Sequence, residues 1–140
     1  MKELSTAKLL AILWVLYLFN ILYADALSLM QTNAQVVTTQ ANQETIEQLL
    51  TDEMLLGAAI IIEMAIMMIL LSLVLKVKIN RIVNVVIASL QLCVLLYSAT
   101  FADASYYFFF VIVESGILLM IITIALKWKS EEHQKPISAH

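Results

Sequence analysis

Polar and apolar positions alternate along this chain on the scale of whole helices rather than single turns. Four runs, at about 9–30, 54–75, 82–101 and 104–126, are almost wholly apolar. Each is close to the ~20 residues a helix needs to cross a hydrocarbon core, so the pattern predicts four spanning helices. Between the first two lies a polar segment, 31–53, expected as a loop, and beyond the fourth a polar tail, 128–140. Ile46, Leu49, Leu50 and Met54 recur at helical spacing, which predicts an amphipathic entry to the second helix. No further domain is expected in the 140 residues.

Composition sharpens this into a class. The chain is 62% hydrophobic, with one proline and two glycines, and its mean hydropathy is +0.92. That is an all-α integral membrane four-helix bundle, not a domain with a polar surface. Lys2, Lys8, the first apolar run and Ala24-Asp25-Ala26 imitate a signal peptide, but the run is long and carries Trp14 and Asn20, so a retained span is expected. All eight basic residues, Lys2, Lys8, Lys76, Lys78, Arg81, Lys127, Lys129 and Lys135, fall at the two ends or between the second and third runs. The positive-inside rule then places both termini in the cytoplasm and 31–53 outside. At the inner ends these residues serve more simply as topology anchors than as a lipid-specific site. A net charge of −3 gives no footprint for nucleic acid. The lone Cys93 is expected as a small buried apolar residue.

The polar residues inside the runs carry the functional question. Glu63 and Glu114 each precede a Ser or Thr by nine residues and a Leu-Lys-x-Lys by twelve, and Tyr23-Ala24-Asp25-Ala26 matches Phe101-Ala102-Asp103-Ala104. This suggests a tandem repeat of two helical hairpins, in the parallel sense. At ~1.5 Å per residue both glutamates lie ~20 Å above the inner lysines, with Asn20 at ~18 Å and Gln91 at ~15 Å. Every helix thus adds one polar group to a central layer. Above it lie Tyr23, Asp25, Tyr97, Ser98, Asp103, Tyr106 and Tyr107, while the inner half is nearly all Leu, Ile, Val and Met.

Spacings of three and four predict inward stripes of Asp103, Tyr107, Phe110 and Glu114, of Asp52, Leu56, Ala59, Glu63 and Met67, and of Asn84, Ile87, Gln91, Val94 and Ser98. The first helix lends Asn20 or Asp25. The candidate binding set is therefore Glu63, Glu114, Asp25, Asn20, Gln91, Tyr23 and Tyr107. Two carboxylates close together in low dielectric cannot easily both ionise, so the pair would hold a proton or a cation. Oxygen ligands alone suit Mg²⁺, Ca²⁺, Mn²⁺ or an organic cation on the tyrosines, and the identity of any metal stays open. Plainer uses exist: the glutamates as hydrogen-bonded interhelical glue, Asp103 as a helix cap, Asn80 and Asn84 in the inner turn, the tyrosines as an interfacial belt.

Three runs carry a resemblance: "LWVLYLFNILYAD" (13–25), "LLSLVLKVKINRIVN" (70–84) and "YYFFFVIVE" (106–114). Together the chain resembles a family of small four-helix bacterial membrane proteins of unknown function. The resemblance implies a bacterial inner-membrane location and weight on Asn20, Tyr23, Asp25, Glu63, Asn80, Arg81, Asn84 and Glu114, with Ile82 where an aromatic often follows Asn-Arg. It implies no chemistry. Three function classes follow: a carrier or channel component moving a proton or cation on the carboxylates, which would call for a homodimer; a site open to the outer side that binds a small cationic ligand or, ranked last for want of a nucleophile–base pair, serves a membrane enzyme; and an accessory protein whose polar layer only fixes packing. No cofactor is expected.

Overall fold

The computed structural model describes residues 5–38, 52–100 and 105–128. They form four helices: α1, Thr6–Thr38; α2, Asp52–Val74; α3, Val77–Ala99; and α4, Ser105–Lys127. All four are long and apolar enough to cross a membrane. Large apolar side chains stay exposed along each of them, Leu22, Leu56, Ile82 and Ile112 among them, and Cys93, expected to be buried, is exposed on the outward face of the third helix. An aqueous surface does not tolerate that much contiguous apolar area.

Two helix ends differ from expectation. α1 continues to Thr38, eight residues into the segment expected as a loop. α3 begins at Val77 rather than near 82, because Leu75 and Lys76 alone make the inner turn, Lys76 in an extended conformation. The amphipathic entry at 46–51, Asp103 and the tail from 129 lie outside the described residues.

α1 packs on α2 and α4, and α3 packs on α4 and more sparingly on α2. The diagonal pairs, α1 with α3 and α2 with α4, do not approach within 8 Å between Cα atoms among the described residues. The chain thus winds once round a square. Leu10, Leu13, Trp14, Tyr17, Met68, Leu118 and Ile121 fill its centre.

The inner end is not the plain apolar plug the sequence suggested. Asn80, Asn84 and Ser72 are all fully buried there. Asn84 Nδ2 donates to Asn80 O at 2.9 Å and Oδ1 at 2.6 Å, while Asn84 Oδ1 accepts from Trp14 Nε1 at 2.8 Å and Ser72 Oγ at 3.3 Å. Asn80 Nδ2 donates to Ser72 O at 2.6 Å, and Arg81 Nη2 to Leu126 O at 3.1 Å. Those two carbonyls belong to the last turns of α2 and α4, which have no intrahelical partners. The first turns of α3 therefore cap two other helices. Asn80 does manage the inner turn, and Asn84 reaches beyond it to tie α1 across the diagonal.

The predicted stripes hold on α3 and α4 but not on α2. On α3, Asn84 and Gln91 are buried, as are Phe110 and Glu114 on α4. On α2, Leu56, Glu63 and Met67 are exposed, and the buried face is Ala65, Met68 and Ser72. Nine residues of helix are about 2.5 turns, so the Glu and the Ser/Thr of the shared pattern point in opposite directions. α2 turns its Ser72 inward and Glu63 out, whereas α4 turns Glu114 inward and leaves Thr123 exposed, bonded to Leu119 O of its own backbone.

Candidate functional site

The outer half of the bundle encloses a cavity of about 510 Å³ between all four helices. From α1 it takes Tyr17 and Asp25, from α3 Gln91 and Ser98, from α4 Tyr107, Phe110 and Glu114, and from α2 the small residues Gly57 and Ala58. The latter two leave width where a larger side chain would fill it. Glu114 is buried, at 4% exposure, and makes no hydrogen bond to any described residue. Since no side-chain oxygen sealed from solvent lacks a partner among the described residues, its carboxyl oxygens open onto the cavity. Asp25 is exposed and lines the same cavity.

The hydroxyl protons of Tyr17, Ser98 and Tyr107 are already committed. Tyr17 Oη donates to Gln91 Oε1 at 3.1 Å, and Gln91 Nε2 donates across to Ile61 O at 2.6 Å. Ser98 Oγ donates to Leu95 O at 2.8 Å, so in its 3.0 Å contact with Tyr107 Oη the phenol is the donor. The phenols of Tyr17 and Tyr107 therefore turn lone pairs, not protons, to whatever else approaches. The wall offers two carboxyl groups and phenolic oxygens as acceptors, four aromatic rings, and no basic side chain. Among the described residues no group of three His, Cys, Asp or Glu is gathered as a metal cluster.

Of the candidate set, the cavity brings together Asp25, Gln91, Tyr107 and Glu114. It does not include Glu63, which faces outward and lines a separate groove with Met64, Met67 and α3 residues. The expected Glu63–Glu114 pair is replaced by Asp25 with Glu114, because the α2 face that reaches the core is the one opposite Glu63. Asn20 bonds Leu16 O of its own helix at 3.0 Å and plays no part in the wall. Tyr23 is 60% exposed, its ring edge-on to Phe110 at 5.8 Å. Of the two choices on α1, Asp25 is the one that lines the cavity.

Tyr17 was not among the candidates, hidden in an apolar run, although its place between Trp14 and Ile21 on one helical face was a usable signal. Residues 2–135 match the profile of a family of unknown function, DUF6326. The chain belongs to that family. The match covers all four helices and both acids of the cavity. No curated protein and no solved structure matches the chain.

Proposed function

We propose that this is a multi-pass membrane protein, with both termini in the cytoplasm of a bacterium, that binds a small cation in the cavity at Glu114 and Asp25 from the outer side. The carrying observation is the unpaired, buried carboxyl of Glu114 in a wall that presents acceptors and aromatic faces. A small organic cation meets both, by charge and by the ring quadrupoles of Tyr17, Tyr107 and Phe110. A bare proton is the smallest occupant of the same acids. The floor favours binding or alternating access over an open channel, since Gln91 and the buried layer below it block a continuous path. Tandem duplication enters this reading only as topology, two hairpins each packed as a pair, because Glu63 and Glu114 face opposite ways.

The test is thermal unfolding of purified protein in titrations of tetramethylammonium and sodium at constant ionic strength. Wild type and Glu63→Gln are expected to melt higher with tetramethylammonium, by about 2.7 kcal/mol of added stability at a hundredfold excess over Kd. Glu114→Gln is expected not to respond, and Asp25→Asn to respond weakly. A Glu114→Gln protein that responds like wild type would sink the reading. An unresponsive wild type would reject its organic-cation form.

A further inference from the structure

Glu63 is the one carboxylate of α2 that sits deep in the span, thirteen residues from Lys76 and about 20 Å above it. It is exposed and makes no hydrogen bond to any described residue. Facing lipid at that depth, a carboxyl group costs several kcal/mol, so a surface placed there needs a polar cover.

The face around Glu63 is open and apolar. α2 is the least buried helix, with 17% of its span inside the bundle against 39% for α4. Beside Glu63, a groove of about 420 Å³ runs between α2 and α3, lined by Ile60, Met64, Met67, Leu71 and Val83. Methionine side chains adapt to an incoming surface, and this groove has several.

We infer that the α2 face around Glu63 is the interface with a second copy of this chain, closed by a Glu63–Glu63 contact across a two-fold axis. The reason lies in hydrogen-bond complementarity. A carboxyl group with one shared proton both donates and accepts, so it satisfies its own copy without any other group. A two-fold interface sets a residue against itself only at the axis, and a single mid-span carboxyl on an apolar face fits that place. This chain has no basic residue at that level to pair with it instead. The interface does not rest on the cation reading, and its test contains no ligand.

The experiment is cross-linking in vesicles with a short bis-maleimide, in a Cys93→Ala background, with single cysteines at Glu63, at Met67 one turn below it, and at Ile112, which is exposed on α4. Glu63→Cys and Met67→Cys are expected to give mostly dimer, and Ile112→Cys only background. Subunit counting in bilayers is expected to find two copies for wild type and Glu63→Gln, whose amide is also self-complementary, and one for Glu63→Lys. Cross-linking at 63 and 67 no stronger than at 112, or single copies for wild type, overturns the interface. A Glu63→Lys protein that stays paired overturns the role of the carboxyl contact.

Discussion

Among the described residues, Asn84 makes more side-chain hydrogen bonds than any other. Its amide receives the indole of Trp14 and the hydroxyl of Ser72 and gives its own protons to Asn80, all in the buried inner end. Removing it strands two donors at once, and buried donors left unmade cost about 1–3 kcal/mol each. Asn84→Ala is therefore expected to lower unfolding free energy by about 2–4 kcal/mol, and Trp14→Phe by about 1–2, measured by denaturant or steric trapping. A double-mutant cycle between them should give a coupling of about 0.6–1.7 kcal/mol, the range of interhelical hydrogen bonds in membranes. Additive effects would show that the indole–amide bond contributes nothing. Glu114 stands at the opposite extreme. It is as buried as the core around it and bonded to nothing among the described residues, so its replacement by Gln is expected to cost little stability. In the sequence both residues were visible as polar interruptions of apolar runs. Which one was satisfied was not, because a hydrogen-bond partner seventy positions away leaves no local trace.

Element existence was legible from length and apolarity, and the facing of α3 and α4 from polar residues at spacings of three and four. The facing of α2 was not. Its polar residues, Glu63 and Ser72, lie on opposite sides of one helix, so periodicity alone could not choose between them. The choice was made by the partners: Asn84 reaches Ser72, and nothing in the bundle reaches Glu63. The same pattern on α4 resolves the other way. Substitution at the two equivalent hydroxyls should then diverge. Ser72→Ile pushes a branched side chain into a filled core and is expected to destabilise by about 1–3 kcal/mol. Thr123→Ile, on an exposed face, is expected to stay within about 0.5 kcal/mol. Equal effects in a thermal or denaturant assay would contradict the opposed facing.

Seen whole, the molecule is tied at the end where α2 meets α3 and hollow at the other, and the positive-inside rule predicts that the tied end is the cytoplasmic one. In a Cys93→Ala background, cysteines at Asn42 and Ala102 are expected to react with an impermeant thiol reagent applied to intact cells, and one at His133 is not. Outside labelling of position 133 would invert the molecule and turn the cavity toward the cytoplasm. The two ties that cross the diagonal, Trp14 to Asn84 and Tyr17 to Gln91, span 70 and 74 residues of sequence. Chains are made at about 5–20 residues per second, so α1 waits roughly 4–14 s for the helix that completes it. During that interval the indole N–H and the phenol of α1 lie in the nascent bundle without their final partners. The inner clamp is therefore also a clock. The diagonal is tied only when α3 arrives, and any delay between α1 and α3 in synthesis lengthens the time that a half-built hairpin spends with those groups unsatisfied.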